Sequence, residues 1–324
     1  MKYVIVGGTI LNDMLYADGS TAKGFLGGSV YAVNGVKPYD DDVLYCTKVG
    51  PEWRDHLGDY FKDNNLSTDG VFPTCYRTIY SEVKYYPSGE WYEYSIYDDY
   101  SFEDWMKESR FTDDEVLSFC TPDLKAMYLE GSKCHPEFYR RFKEKSPNGN
   151  LMCELSTKWC NNPEYHERVF EQIQNVDIYS LNRPESFNLF GVDSEEKAIE
   201  KILEIGVPCF YRIGSKGAYM VQDGKAWYAP LVDFGKSVDA TGCGNCSTAA
   251  SMYGFAEGFH PLMTAVKSNI ASGINAAQYG PFLKFTPELR ERINRYAEQI
   301  FEELLPDDGK KLHTTPYVFE SLYD

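Results

Sequence analysis

Short apolar, β-branched runs alternate with amphipathic stretches along most of this chain. Tyr3 to Val6, Val43 to Val49, Ala126 to Leu129, Leu151 to Leu155, Val176 to Leu181 and Pro208 to Ile213 read as buried strands. Between them, Glu52 to Asp63, Pro136 to Lys145, Pro163 to Gln174 and Ser194 to Ile205 carry helical patterning, and Gly206 supplies a C-cap for the last. Strands alternating with helices predict a mostly parallel sheet covered on both faces. Two regions break the rhythm. Thr78 to Tyr85 and Glu90 to Tyr97 flank Pro87-Ser-Gly89 and read as a β-hairpin inserted into the α/β run. A lone hairpin is marginal, so it is expected to pack on something. Its rings, Tyr85, Tyr86, Trp91, Tyr92, Tyr94 and Tyr97, either cover a substrate, meet another subunit or form a half-buried sheet face. Ala218 to Gln222 and Ala226 to Ala229, joined through Asp223-Gly-Lys225, read as a second hairpin. Helices are predicted after it, over roughly Cys243 to Gly258, Leu262 to Gln278 and Pro287 to Leu305. With no repeat, low-complexity tract or linker in view, residues 1–324 are expected to form a single α/β domain.

The 324 residues, 43% of them apolar, suffice for a large core. A balance of 32 basic against 49 acidic residues, formally −17, repels nucleic acid and anionic membranes, so neither is expected as a partner. Phosphate binding stays open, because local amides and a few cations govern it rather than net charge. Nine cysteines without disulfide-like spacing suit a reducing cytoplasm. The N-terminal apolar run meets Gly7, Gly8 and Asp13 too early for a signal-peptide core. No stretch nears the roughly 18 apolar residues of a membrane span. Cys243 and Cys246 form a CxxC, for which a redox role competes with small-residue packing. The five histidines lack metal-ligand spacing.

The segment Val238-Asp-Ala-Thr-Gly-Cys-Gly-Asn245 carries the most chemistry. Gly242 and Gly244 permit a sharp turn and bring N–H groups to a helix start, where free amides and the dipole favour an anion. Neither a Walker A sequence nor a GxGxxG occurs, which weakens P-loop and dinucleotide readings. The segment resembles the Asp-Thr-x-Gly-Ala-Gly-Asp signature of the PfkB (ribokinase-like) carbohydrate kinase family, and similar motifs follow in order through nearly the whole chain. The resemblance implies a ribokinase-like three-layer α/β/α sandwich with a mostly parallel central sheet and a small β-sheet lid. The lid is expected over approximately residues 74–100, with part of 10–26. ATP and Mg²⁺ are the implied cofactors.

Carried over residue by residue, Gly8-Thr-Ile-Leu-Asn-Asp13 is similar to the family's first strand and turn, which makes Asp13 the acceptor for substrate hydroxyls. Gly27-Gly-Ser-Val-Tyr-Ala-Val-Asn34 resembles the Gly-Gly box, setting Gly27 and Gly28 close to the sugar. Ala32 stands where the family has asparagine, so Tyr31 or Asn34 either compensates or simply packs. Val49-Gly-Pro-Glu-Trp-Arg-Asp-His-Leu-Gly58 looks like the Val-Gly-Asp-Asp stretch, with Pro51 replacing an aspartate. Arg77, just before the lid strand, meets an anionic substrate or forms a surface ion pair. Asn182-Arg-Pro-Glu185 resembles the Asn-x-x-Glu motif, assigning Asn182 to the nucleotide and Glu185 to Mg²⁺ through water; the same spacing also caps a helix. Tyr211-Arg-Ile-Gly-Ser-Lys-Gly-Ala218 is similar to the nucleotide-phosphate loop, keeping Gly214 and Gly217 and offering Arg212 and Lys216 to phosphate charge. Asp239 and Thr241 match positions near a monovalent-cation site, with K⁺ as its candidate occupant, and Gly280 resembles the closing loop.

In this alignment Gly242, Cys243 and Gly244 form the anion hole and Asn245 holds the catalytic-base position, which is aspartate in the family. Asparagine takes no proton at neutral pH, and losing a general base costs about 10²- to 10⁴-fold. Phosphoryl transfer rests largely on positioning and charge stabilisation, so slow turnover stays open. The expected function is ATP-dependent phosphorylation of a sugar or related polyol hydroxyl. A nucleoside is the competing acceptor, because a Tyr-rich lid suits stacking on a base. The alternative is a catalytically weak or inactive sugar- and nucleotide-binding or regulatory protein on the kinase fold. Asn245→Asp is expected to raise turnover at least about tenfold. Pairing of lids in a homodimer would cover an aromatic edge strand.

Overall fold

The computed structural model describes residues 1–87, 91–130, 134–282 and 284–322. The strands are β1 (Tyr3–Val6), β2 (Thr9–Leu15), β3 (Thr21–Gly28), β4 (Val43–Lys48), β5 (Val71–Phe72), β6 (Ile79–Tyr85), β7 (Trp91–Ser95) and β8 (Ala126–Glu130). They continue as β9 (Asn150–Glu154), β10 (Ile178–Asn182), β11 (Cys209–Arg212), β12 (Ala218–Gln222), β13 (Lys225–Ala229), β14 (Val232–Phe234) and β15 (Tyr317–Phe319). A nine-stranded sheet runs in the order β13-β12-β11-β10-β9-β8-β1-β4-β5. It is parallel from β5 to β11, and β12 and β13 extend it antiparallel. The apolar runs expected to be strands occupy β1, β4, β8, β9, β10 and β11, and the second hairpin is β12 and β13.

A period of two sorts the strand side chains between two cores. Tyr3, Ile5, Tyr45, Tyr128, Met152, Ile178 and Phe210 face one, packed by the helices Val30–Val36, Trp53–Asp63, Cys243–Ala256, Pro261–Ala276 and Pro287–Leu304. Val4, Val6, Cys46, Leu129, Cys153, Leu181 and Tyr211 face the other, packed by Asp113–Ser118, Pro136–Lys145, His166–Ile173 and Glu195–Ile205. The molecule is therefore a three-layer sandwich. Burial on both faces is why these strands read as continuous apolar runs.

The lid is a separate sheet in the order β3-β2-β6-β7. Strands β6 and β7 pair antiparallel as the expected hairpin, whose turn residues Ser88 to Glu90 lie outside the described residues. The other half comes from the N-terminal segment: β2 pairs antiparallel with β3 and parallel with β6. Of the Gly8 to Asp13 stretch, Thr9 to Asp13 thus lie in a strand of this sheet. Beneath the lid, Cys75, Ile79, Tyr100 and Trp105 form a small apolar cluster. Tyr16 stacks on Tyr85 with ring centroids 5.8 Å apart, and Tyr279 meets Tyr16 at 5.7 Å, tying lid to body. The last strand, β15, pairs parallel with β14. No helix among the described residues is long and apolar enough to cross a membrane.

Candidate active site

The alternation that fills one core also supplies the site. Two residues beyond Tyr128, Met152 and Phe210, on the same face of their strands, stand Glu130, Glu154 and Arg212. These are the carboxyl ends of β8, β9 and β11, where ligands bind in open parallel sheets. The helix Cys243–Ala256 directs its N-terminus at them, with Gly242 as a left-handed N-cap at φ 76°. Asn245, in its first turn, donates from Nδ2 to the Tyr128 hydroxyl at 3.0 Å and to Glu154 Oε2 at 3.3 Å. Tyr128 in turn donates to Glu154 Oε2. On its other oxygen, Glu154 meets Arg212 Nη2 at 3.1 Å, and Glu185 Oε2 lies 3.9 Å from the same nitrogen.

Two glycines of the turn are dictated by neighbours as well as by backbone. A Cβ on Gly242 would fall 2.0 Å from the Tyr31 ring, and one on Gly244 would fall 2.3 Å from Arg212 Nη1. The turn is stapled from within: Asp239 Oδ1 accepts the Thr241 N–H at 3.0 Å and its hydroxyl at 2.8 Å, and Asn275 Nδ2 donates to the Thr241 carbonyl at 2.7 Å. Tyr85 Oη of the lid lies 2.8 Å from Thr241 Oγ1, so the lid is closed onto the turn.

A cavity of about 300 Å³ lies on one side of this turn, lined by Asn182, Arg212, Gly214, Gly217, Cys243 and Gly244 among others. A second, about 340 Å³, lies on the other, lined by Asn12, Gly28, Tyr31, Tyr85, Glu93, Glu130, Thr241, Gly242 and Asn245. Ala240 borders both. In the second cavity Glu93 Oε1 accepts from Asn12 Nδ2 at 3.1 Å and Ser81 Oγ at 2.7 Å. Burial pushes the Glu93 and Glu130 carboxyls above the ordinary glutamate value.

The structure brings together most of the residues singled out in the sequence, and moves others. Asn182, Arg212, Gly214 and Gly217 gather at the first cavity; Gly28, Tyr31, Thr241, Gly242 and Asn245 gather at the second. Asp13 does not line either cavity: it accepts from the Gly24 N–H at 2.9 Å and the Tyr80 hydroxyl at 2.7 Å, within the lid sheet. Its neighbour Asn12 takes the cavity position, because consecutive strand residues face opposite ways. Gly27 packs on the Asn12 side chain instead of the cavity; its Cβ would fall 1.8 Å from Asn12 Oδ1. Arg77 is outside as well, pairing with Asp99 at 3.2 Å and lying over the Tyr76 and Tyr97 rings. Lys216 does not line the first cavity and pairs with Glu195 at 3.1 Å. Cys243 and Cys246 donate to the carbonyls of Ser272 and Ala271, and burial pushes both thiols up, away from the thiolate a redox pair needs.

Glu185 is 2% exposed and its oxygens are spoken for: Thr157 Oγ1 donates to Oε1 at 2.6 Å and the Asn182 N–H to Oε2 at 2.7 Å, while Asn182 Oδ1 caps the Glu185 N–H. The motif therefore acts as a capping box here. With the Arg212 guanidinium beside Glu154 and Glu185, these residues do not fit a protein-held Mg²⁺. No group of three or more His, Cys, Asp or Glu able to hold a metal occurs among the described residues. Asp239 Oδ1 and the Thr241 carbonyl are likewise engaged by donors, the opposite of what a K⁺ ligand needs.

Tyr128, Glu130, Glu154, Asn12 and Glu93 escaped the sequence reading. For Glu130 and Glu154 a signal existed: a charged residue closing a buried apolar strand, where the sheet's ligand edge lies. For Asn12 and Glu93 none did, since only the lid's register brings them together across 81 residues of chain.

The fold these layers, lid and strand order define is the ribokinase-like one. An adenosine kinase from Sinorhizobium meliloti superposes with a TM-score of 0.68 at 18% identity, over 91% of this chain and 98% of that one. A ribokinase II from E. coli in complex with ATP and Mg²⁺ gives 0.69 at 16% identity, over 92% and 99%. A Burkholderia thailandensis nucleoside kinase in complex with inosine gives 0.67 at 14% identity, over 93% and 99%. No protein-family model and no curated protein sequence matches the chain.

Proposed function

We propose that the protein transfers the γ-phosphoryl group of ATP to a hydroxyl of a small sugar or related polyol. One observation carries this reading: the turn from Ala240 to Asn245 forms a wall shared by two cavities, so a donor on one side and an acceptor on the other would meet at the N–H groups of a helix start. Arg212 and the amides of Gly242 and Gly244 would offset charge on the transferring group. Asn182, Gly214 and Gly217 would hold the nucleotide, and Mg²⁺ would arrive with it rather than on Glu185. Asn12, Tyr31 and Gly28 would seat the acceptor, with Tyr85 closing over it to exclude water. Similarity to kinases solved with ATP and with inosine supports the same donor, and keeps a nucleoside as the competing acceptor.

A second reading is favoured by Asn245 itself. Its amide is held by Tyr128 and Glu154 and takes no proton, as suits a protein that binds sugar and nucleotide without turnover. Incubation with ATP and a panel of sugars, polyols and nucleosides, read by mass spectrometry, separates the two. A phosphorylated acceptor establishes the kinase; saturable binding of both ligands with no product establishes the binder. The exposed rings of Tyr92 and Tyr94 on β7, 62% and 47% accessible, suit a lid-to-lid dimer; a monomeric sedimentation profile at micromolar concentration would remove that proposal.

A further inference from the structure

We infer that Glu130 accepts the proton of the attacking hydroxyl, the task for which Asn245 has no basic atom. The inference rests on the kinase reading and extends it to a residue outside the glycine turn.

Three observations carry it. Glu130 lines the same cavity as Thr241, Gly242 and Asn245, so an acceptor seated against the amide cradle lies within its compartment. It is two residues beyond Tyr128 on one face of β8, and the Tyr128 hydroxyl receives the Asn245 amide. Glu130 therefore stands roughly 7 Å farther along the strand, toward its carboxyl end. Ser29 Oγ donates to Glu130 Oε2, which fixes the carboxylate's orientation.

The other acids are placed for different work. Glu154 is engaged by Arg212, Tyr128 and Asn245, and Glu93 by Asn12 and Ser81 within the lid sheet. Glu130 is exposed at the end of β8 and opens onto both cavities, where the protein atoms around its carboxyl and the nearby Glu154 charge raise its affinity for a proton. Glu154 from β9 and Glu93 from β7 push in the same direction; the Ser29 hydroxyl and the Gly8 N–H oppose them. Tyr31 and Tyr85 line the same cavity, and Arg110 borders the adjoining cavity that Glu130 shares. A carboxylate held above its ordinary value is a better proton acceptor near neutral pH.

In the step proposed, the acceptor O–H proton passes to Glu130 as the acceptor oxygen bonds to the γ-phosphorus. The bond from that phosphorus to the bridging oxygen breaks, its electron pair leaves on ADP, and the proton goes to water after product release.

The test measures kcat and acceptor Kd from about pH 5 to 9 for the wild type, Glu130→Gln, Glu130→Asp and the triple variant Glu130→Gln, Glu154→Gln, Asn245→Asp. Nucleotide affinity, read by calorimetry, reports that each variant is folded. Glu130→Gln is expected to lower kcat at least about 100-fold with Kd changed less than about threefold, and to erase the acid limb of the wild-type profile. Glu130→Asp is expected to fall between the two, and the triple variant to recover at least about tenfold by placing a base on the opposite wall. A kcat that survives Glu130→Gln, or a loss confined to Kd, overturns the inference alone. Absence of turnover by the wild type with every acceptor it binds overturns the kinase reading and this inference together.

Discussion

The two cavities that share the Ala240 to Asn245 wall are built in opposite ways. The cavity proposed for the nucleotide draws on five stretches that all lie between Asn182 and Ala276, and much of its lining is small: Gly214, Gly217, Ala218, Gly244, Gly273 and Ala276. The acceptor side collects Asn12, Tyr31, Tyr85, Glu93, Glu130 and Asn245 from five separate stretches, and its lining is large, polar and acidic. Small residues expose backbone N–H and C=O groups, which suit a phosphate chain whatever its carrier. Projecting side chains suit a particular arrangement of hydroxyls. On the proposed kinase reading, the donor would be recognised mainly by backbone, and the acceptor mainly by side chains that other sequences are free to vary.

The largest test of that contrast strikes the wall itself. Arg212→Ala leaves Glu154 and Glu185 buried without their cation, and is expected to cost about 3–5 kcal/mol by urea unfolding and to weaken nucleotide binding more than acceptor binding. Equal loss for both ligands would blur the division.

Next in size is Asn245→Asp. The sequence alone leads one to expect a gain in turnover, but the structure sets Glu154 Oε2 at 3.3 Å from the atom that would become a carboxylate oxygen. The substitution removes a donor and adds a like charge, so it is expected to cost about 1–3 kcal/mol; Glu154→Gln relieves the like charge but weakens the Arg212 pairing, so it regains only part of that. A tenfold gain in turnover is then expected only where Glu154→Gln accompanies it and Glu130→Gln has removed the base on the opposite wall.

The same contrast explains what could be read beforehand. Strands buried on both faces and helices with clear caps announce themselves, so the layers were legible, as was the gathering of Gly214, Gly217, Gly242 and Gly244 around the shared wall, since they lie in contiguous motifs. The acceptor side was not, because pairing between β2 and β6 decides which of Asn12 and Asp13 faces the cavity, and register across 67 residues leaves no local trace. Arg77 and Lys216 were misplaced for a related reason: their partners Asp99 and Glu195 are nearby only after folding.

A smaller effect should fall on one side alone. Tyr85→Phe removes the 2.8 Å contact with Thr241 Oγ1 and is expected to weaken acceptor binding by about 1 kcal/mol, leaving nucleotide affinity unchanged by calorimetry. The smallest is electrostatic. Burial raises the Glu93 carboxyl above its ordinary value of 4.5, so the stability tied to its protonated form is present below that value and is lost as pH climbs through the raised one. Glu93→Gln keeps an oxygen for Asn12 and Ser81, so its advantage over the wild type in urea midpoint is expected to grow with pH between about 4 and 8. A constant gap would place Glu93 among ordinary carboxylates.

The pairing of β15 with β14 bears on how the chain can be handled. Leu231 and Asp233 border the cavity proposed for the nucleotide, and the Tyr317 N–H bonds to the Leu231 carbonyl at 2.9 Å while the Phe319 ring stacks on Tyr296 at 3.9 Å. The terminal residues thus act as a clasp on the rim of the cavity proposed for the donor. Trimming them for crystallisation, or burdening them with a purification tag, would loosen a binding edge some eighty positions upstream.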